Sequence, residues 1–519
     1  MGTLKQDLTG PDVELRETHI SWVFLSDGDV WKVKKPVDMG FLDFRTAEQR
    51  RAACEAEVRL NRRLAPDVYR GVVPITRGGD GRHRIDGDGE VVDWAVHMRR
   101  LPDRIRADVM LAEGRLRPEH LRRVAERVAA FHAEQPGGDA IAAMGRPEAI
   151  AANVQENFEQ TRETVRQHLS DEEAREIERW QTHVLETQAA RFEARVRQGR
   201  VRDGHGDLRL EHVYLDGDGS VTIVDCIEFN ERFRYADVCA DVAFLSMDLA
   251  YEGRVDLAEH FLAAYAREAG DYDLYGLVDF YESYRAYVRA KVSSILAADE
   301  EADAATRERA GGRARRYYLL ALAAERRPLM EPAVVAVGGL IASGKSTVAD
   351  RLSLVLGAPV ICADRTRKEL WGVRPTERVG SAAFEGAYSA EFTEKVYAEL
   401  LRRAEVVVAS GRPVLLDASF RSRAHRAAAR ALARAQGVPF RFVECRVAPV
   451  VAKERLRGRV EGEVSDARLE LFDDFVAAWE PVDELPGREH VAIDTARPLD
   501  DNLARLRERL PAWPEGLVG

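Results

Sequence analysis

A chain of 519 residues is too long for one hydrophobic core, so two or three domains are expected. Hydrophobic residues make up 45% and charged residues 32%, the balance of an ordinary water-soluble globular chain, and the net charge of −11 argues against a general nucleic-acid binder. The N-terminal MGTLKQDLTG has no apolar leader core and no run reaches a membrane span; the five cysteines (Cys54, Cys226, Cys239, Cys362, Cys445) show neither pairing nor metal spacing, so a reducing, cytoplasmic setting is expected.

From the N-terminus, Ile20 to Pro36 alternates as two paired strands around an Asp27-Gly28-Asp29 turn. The second strand carries Lys32, Lys34 and Lys35, and Lys34 shares a face with Lys32 but not with Lys35. Taken alone, this K-x-K-K reads as a solvated strand face. A helix is predicted from Ala47 to Leu64, offering Glu55 and Glu57 as partners for such a lysine, and the spacing to Leu64 favours Glu57. Gly71 to Met98 reads as further strands broken by Gly/Asp turns, with a hinge near His97 to Leu101. Helices follow. One spans Leu121 to His132 with Val124, Val128 and Phe131 on one face; another opens with the capping box of Ser170 and Glu173 and turns Ile177, Trp180, Val184 and Phe192 inward.

The stretch Val201 to Phe229 carries the densest chemistry. It reads as a loop, a strand from His212 to Leu215, an Asp/Gly-rich turn (Asp216 to Ser220) and a returning strand from Val221 to Asp225. Pairing Leu215 with Val221 sets His212 opposite Val224, which brings Asp225 beside His212 and near the loop of Asp207. Two carboxylates and an imidazole then converge at one open end. Phosphoryl transfer from ATP needs such a set, one carboxylate to accept a hydroxyl proton and another group to help hold magnesium. Glu228 and Asn230 follow closely enough to line the same cleft. Asp237 and Asp241 read as helix-capping residues or partners of Arg232 or Arg234.

His205-Gly206-Asp207, a four-residue gap and a strand pair ending in Asp225 resemble the aminoglycoside phosphotransferase and choline kinase-like branch of the protein-kinase fold. The resemblance implies a bilobal domain with Asp207 as catalytic base and magnesium held at position 212 and at Asp225. It also selects Lys34, held by Glu57, as the lysine gripping the phosphates of ATP. The family usually places Asn where this chain has His212. The lack of a glycine-rich G-x-G-x-x-G loop fits this branch better than ordinary protein kinases.

A helical Arg-rich segment, residues 304–331, carries Arg307, Arg309, Arg313, Arg315 and Arg316 and reads as a solvated linker face. Ala333 to Val337 is then an apolar strand, and the run from Gly339 through Ser343, Gly344, Lys345 and Ser346 matches G-x-x-x-x-G-K-[ST], continuing into Thr347 and a helix with Val348, Leu352 and Leu356 on one stripe. Strand, loop and helix come in the order a phosphate cradle requires. Backbone N–H groups approach the phosphates, Lys345 reaches the β/γ oxygens and Ser346 takes magnesium. Further strands over Pro359 to Cys362, Val414 to Leu416 and Phe440 to Val447 deliver Asp364, Asp417 and a fourth sheet position, so a parallel sheet is expected. This half resembles the small P-loop kinases of the gluconate kinase, polynucleotide kinase and zeta-toxin type. That resemblance implies Asp364 and Arg367 as the acceptor-binding and general-base pair, Asp417 as the second acidic, metal-associated position, and Arg455 and Arg459 as lid arginines.

The whole sequence is similar to bacterial two-domain proteins with an aminoglycoside phosphotransferase-like domain followed by a C-terminal ATP-binding domain. The expected architecture is mixed α/β and α+β: a kinase-like N-lobe (1–100), a helical C-lobe (101–303), a linker (304–331) and a P-loop α/β domain (332–519). The expected function is ATP- and Mg2+-dependent phosphotransfer to a small-molecule hydroxyl. A nucleic acid stays open only as an acceptor of the P-loop half. The alternatives are a pseudokinase first half regulating a P-loop small-molecule or 5′-hydroxyl polynucleotide kinase, and an NTPase nucleotide sensor.

Overall fold

The computed structural model describes residues 3–18, 20–38, 40, 42–300, 302–322, 331–377, 379, 385–458 and 469–510. The chain forms two compact units, Met1–Asp248 with Tyr284–Tyr318, and Leu249–Ser283 with Leu319–Gly519. Among the described residues, no helix is long and apolar enough to cross a membrane.

The first unit opens with a six-stranded antiparallel sheet in the order Glu14–Glu17, Ser21–Leu25, Asp29–Lys34, Glu90–Arg99, Tyr69–Arg77, His83–Ile85. The predicted lysine hairpin is present, with Ser21 paired to Lys34 and Leu25 to Val30. The helix Ala47–Asn61 is started by a capping box between Thr46 and Gln49. It packs Cys54 and Val58 against Val30, Val96 and Met98 of the sheet. Each Val sealed this way stabilises the fold by about 1.5–3 kcal/mol.

Helices follow. Pro118–Glu134 buries Leu121, Val124, Val128 and Phe131, the face its 3.6-residue period predicts. The Ser170–Glu173 capping box starts a helix that stops at Thr187; Gln188, with φ −106 and ψ 13, breaks it, and Phe192 is buried from a separate helix, Ala189–Arg197. The inward stripe is Ile177, Gln181 and Leu185 rather than one through Trp180 and Val184.

The second unit is built on five parallel strands in the order Val360–Cys362, Val414–Asp417, Val334–Gly339, Phe440–Arg446, His490–Asp494. The fifth, His490–Asp494, was not predicted. The central strand Val334–Gly339 is buried along its whole length, as its unbroken apolar run requires when both faces are covered. Connections run to one side of it first and to the other later, so the chain reverses direction beside this strand, where ligands bind in open α/β sheets. Val348, Leu352 and Leu356 of the helix Lys345–Leu356 pack on Val335, Val337 and Val443.

The units do not divide at residues 303 and 331. Residues 249–283 join the parallel-sheet unit, where Arg412 pairs with Glu259 at 2.8 Å and Asp279 at 2.9 Å, and the Tyr272 hydroxyl donates to the Val360 carbonyl at 2.6 Å. The Arg-rich segment is the helix Ala304–Leu322, with Tyr317 and Tyr318 buried; Arg307 donates to the Ala302 carbonyl at 2.8 Å and Arg315 to that of His168 at 2.6 Å.

Candidate active site

In the first unit, the strand Val201–Asp203 leads into the His205-Gly206-Asp207 loop, and Asp241 holds that loop in shape. Its carboxylate accepts the backbone N–H groups of His205 at 2.6 Å and Gly206 at 2.8 Å. Gly206 has φ +84, and at Gly204 an added Cβ would lie 2.4 Å from Asp241 Oδ2, so both glycines are required by the loop. Burial alone would raise the Asp241 carboxyl, but the hydrogen bond from His132 and nearby positive charge hold it below the usual range. Asp237 pairs with Arg195 at 2.6 Å, and Arg234 pairs with Asp203. Of the two expected roles, Asp237 takes helix capping, accepting the Cys239 N–H at 2.9 Å at the start of the helix Val238–Tyr251, and its ion pair is with Arg195 rather than Arg232 or Arg234; Asp241, one turn into that helix, serves the His205–Gly206 loop.

The hairpin has the predicted register. Leu215 pairs with Val221 and Val213 with Ile223, and the Val224 N–H donates to the His212 carbonyl at 3.0 Å. His205 stitches loop to hairpin through Nε2, 3.0 Å from the Val224 carbonyl; burial pulls its imidazole down to about 4, so it stays neutral. Asp225 sits at φ +65, a left-handed position costing a non-glycine residue about 1–2 kcal/mol, with its N–H donated to the Tyr69 hydroxyl at 3.2 Å.

The groups around this end converge. His212 Nδ1 lies 2.8 Å from the Asp207 carbonyl, and His212 Nε2 lies 3.5 Å from Asp225 Oδ2. Lys32 reaches Asp225 Oδ1 at 2.5 Å and Glu57 at 2.9 Å. Burial would lift the Asp225 carboxyl, but the Lys32 ammonium beside it drives it far below the usual range. Glu57 turns inward as the spacing suggested, whereas Glu55 pairs on the surface with Arg51 at 2.9 Å.

Lys34, expected to meet ATP, is sealed. Its side chain is fully buried, 2.5 Å from Glu57 and paired also with Glu228. Lys32, one turn of the pleat earlier on the same face, holds the open position beside Asp225. Glu228 thus closes the lysine core rather than lining a cleft, and Asn230 caps the short turn Glu231–Phe233.

Two arginines lay outside the sequence expectations. Arg209 Nε and Nη2 fork onto both oxygens of Asp207 at 2.9 and 3.0 Å. Burial would raise the Asp207 carboxyl, but the Arg209 guanidinium holds it well below the usual range. Arg63, at the end of the lysine-facing helix, donates to the carbonyls of Asp203 at 3.0 Å and Gly204 at 3.1 Å and to Cys226 Sγ at 3.2 Å, tying the loop to the residue after Asp225. The R-L-E-H spacing placed Arg209 near Asp207 in sequence; nothing local marks Arg63.

Among the described residues, no three His, Cys, Asp or Glu side chains converge to hold a metal by themselves. His212 Nε2 and Asp225 Oδ2 lie 3.5 Å apart, and Arg209 Nη2 lies 3.3 Å from the same ring nitrogen. Of the two, the half-exposed Asp225 carboxylate is the hard oxygen donor a divalent ion would take, with nucleotide oxygens and water supplying most of its shell.

In the second unit, Gly344 (φ +82) precedes the helix Lys345–Leu356, whose first N–H groups face the loop. At Gly339 (φ +147) a Cβ would meet the Cys445 carbonyl at 2.4 Å and Ser343 Oγ at 2.7 Å. Among the described residues, the buried Ser343 hydroxyl has no hydrogen-bond partner. A cradle with bare backbone and an unused buried donor fits a phosphate group. Lys345 Nζ waits on the Leu340 carbonyl at 2.8 Å. Ser346 bonds the Asp417 carboxylate, which burial pushes above its usual range against the pull of Lys345. Thr347 is exposed on the same first turn.

Asp364 begins the helix Ala363–Trp371, half-buried, and its charge adds to the upward pressure on Asp417. The Arg367 guanidinium donates to the Ala387 carbonyl and to Thr393 at 3.3 Å and stacks 4.6 Å from the Tyr388 ring. Arg455 lies across the phosphate loop, donating to the Ala342 carbonyl at 3.2 Å and the Thr495 carbonyl at 2.7 Å. Thr495, on the missed fifth strand's exit, donates to the Ser343 carbonyl at 2.7 Å and completes this clamp. Arg459 lies outside the described residues.

Fold and sites together define a chain of two kinase-like domains. A model described as "Phosphotransferase enzyme family" matches residues 27–281, and one described as "AAA domain" matches residues 334–482. The chain is 34% identical over 461 residues, 89% of each partner, to the uncharacterized protein Rv2004c of Mycobacterium tuberculosis (strain ATCC 25618 / H37Rv), and it belongs to that protein's family. Among solved structures it is similar to the GDP complex of wild-type aminoglycoside 2′-phosphotransferase-IIIa, with 16% identity, 60% of this chain and 94% of that one covered, and a TM-score of 0.35. It is also similar to a gluconokinase from Sinorhizobium meliloti 1021, with 24% identity, 35% and 96% covered, and a TM-score of 0.25.

Proposed function

We propose that the chain is an ATP-dependent phosphotransferase with two nucleotide sites. The first unit transfers a phosphoryl group to a small-molecule hydroxyl, of a sugar, amino alcohol or aminoglycoside-like acceptor, and the second is a P-loop kinase. The observation that carries this reading is the convergence of Asp207, His212, Asp225, Lys32 and Glu57 at one end of a hairpin. Asp207 accepts the proton of the acceptor hydroxyl at its carboxylate. Lys32 grips the nucleotide phosphates in place of Lys34, held by Glu57, while His212 and Asp225 hold Mg2+. When bound, that cation neutralises charge on the β- and γ-oxygens. In the second unit Lys345 reaches the β/γ oxygens, Ser346 and Asp417 hold Mg2+, Asp364 is the acceptor's base and Arg455 braces the phosphate loop.

The fork of Arg209 on Asp207 favours a second reading, because a carboxylate held at both oxygens is a poor base. In it the first unit binds nucleotide and regulates the P-loop kinase. Asp207→Asn separates the two when ATP consumption is read against a pool of hydroxyl metabolites. Loss of a general base lowers turnover by roughly 10²–10⁴-fold; unchanged turnover that vanishes only in Lys345→Ala assigns the chemistry to the second unit. Transfer of labelled phosphate to a 5′-hydroxyl oligonucleotide tests the remaining acceptor class.

A further inference from the structure

Asp225 stands at φ +65, a sparsely populated conformation for a residue with a side chain, kept only where the surroundings impose it. Its φ and ψ are set by two rigid peptide planes, one on each side of its Cα. Both planes are hydrogen-bonded, and their N–H groups are taken by side chains from far away in the sequence.

The plane before Asp225 is gripped at both ends. Its carbonyl, from Val224, lies 3.0 Å from His205 Nε2, and its N–H donates to the Tyr69 hydroxyl at 3.2 Å. Tyr69 is buried at the start of the strand Tyr69–Arg77, beside a bulge that breaks the register before Gly71 and re-aims the side chain. The plane after Asp225 is held once. The Cys226 N–H donates to Asn61 Oδ1 at 2.9 Å, and among the described residues this is the single hydrogen bond on that plane.

Asn61 is buried at the last position of the helix Ala47–Asn61, and its Nδ2 donates to the Glu57 carbonyl one turn back at 2.9 Å. A carbonyl at one end and an N–H at the other fix which way the amide faces, since each end meets the partner it can bond. Glu57 pairs with Lys32 at 2.9 Å, and Lys32 with Asp225 Oδ1 at 2.5 Å. One helix therefore locates both the backbone of Asp225, through Asn61, and its carboxylate, through Glu57 and Lys32.

We propose that Asn61 and Tyr69 are positioning residues of the first site: by holding the two planes they keep the half-exposed Asp225 carboxylate aimed at the divalent cation that accompanies the nucleotide. This rests on the reading of the first unit as a nucleotide site. Lys32 stays in place without them, held by the buried Glu57. Loss of either side chain should thus act on the cation's share of nucleotide binding and spare the share that Lys32 supplies.

The test uses the full chain carrying Lys345→Ala, which silences the phosphate cradle of the second unit. Calorimetry reads its binding of the β,γ-methylene analogue of ATP with Mg2+ and with EDTA in its place, and the ratio of the two affinities is the cation's share. Tyr69→Phe, which removes one oxygen, and Asn61→Leu, which keeps the side-chain shape, are each expected to lower that ratio roughly 10-fold and to leave the metal-free affinity unchanged. An equal loss with and without Mg2+ would mark the two as supports of the fold and overturn the inference. An unchanged ratio, or a parent in which Mg2+ brings no gain, overturns it too, and all three leave the nucleotide reading standing. A Lys345→Ala chain that binds no nucleotide overturns both. Tyr69→Phe decides the matter alone if Asn61→Leu does not fold.

Discussion

At the scale of single residues, Lys32 and Lys34 divide one expected role between them. Lys34 is enclosed by Glu57 and Glu228, and burial raises the Glu228 carboxyl even against the pull of Lys34. Removing that ammonium strips the buried Glu228 carboxylate of its paired charge and leaves Glu57 to Lys32 alone, so Lys34→Met is expected to lower stability by about 3–5 kcal/mol in urea unfolding. Lys32 neighbours Asp225, whose side chain is 44% exposed and can be hydrated in its absence. Lys32→Met is therefore expected to cost less stability but more nucleotide affinity; a reversed order would return the phosphate role to Lys34. Asp241 gives a pH signature. Its folded carboxyl titrates below the unfolded value near 3.9, so its stabilisation is complete above that value and fades as pH falls through the folded one. Asp241→Asn is expected to cost about 3 kcal/mol at pH 7, for its charged hydrogen bonds to the loop, and the gap to the parent should narrow below about pH 4. A gap of constant size at pH 7 and pH 3 would refute this account.

At the scale of elements, the loop and hairpin work only because glycine leaves room for Asp241. Gly204→Ala drives a Cβ into the Asp241 carboxylate, 2.4 Å away, so it should lower stability and abolish first-site phosphoryl transfer together. Gly339→Ala meets the Cys445 carbonyl at 2.4 Å in a backbone region closed to alanine, and second-site nucleotide binding should be lost in a calorimetric titration. The hairpin was legible because its Asp/Gly turn sets register and the two-residue period does the rest, carrying Asp225 to His212. The phosphate cradle was legible because its chemistry is local. Partners distant in sequence were not: Asp241 is reached by His132 across 109 residues, and Asp237 by Arg195 across 42. The strand His490–Asp494 escaped because five residues beginning with a histidine show too little alternation. The break at Gln188 escaped because neither Gly nor Pro marks it.

At the scale of the whole molecule, residues 249–283 show how a boundary hides. Their helical pattern continues that of the preceding helices without a shift in composition, while the contacts that assign them, such as Arg412 with Glu259 and Asp279, lie more than a hundred residues away. The cysteines give a test of both cores at once. All five are buried, and burial pushes the thiols of Cys54, Cys226 and Cys445 up to about 12. The native chain should take up no thiol reagent at pH 8 and five equivalents in denaturant, since the thiolate is the reactive form. Rapid native labelling would show that one of the cores opens. Nucleotide stoichiometry tests the proposal of two sites more directly. Lys32 and Lys345 stand in different units, each beside its own acidic residue, Asp225 in one and Asp417 in the other. Neither ammonium can replace the other, so each should govern one binding event. The parent chain is expected to bind two equivalents of a non-hydrolysable ATP analogue by calorimetry, Lys345→Ala one, Lys32→Met one, and the double variant none. A parent stoichiometry of one that falls to zero in Lys345→Ala alone would confine nucleotide binding to the second unit, leaving the clustered acids and lysines of the first as a structural ion network.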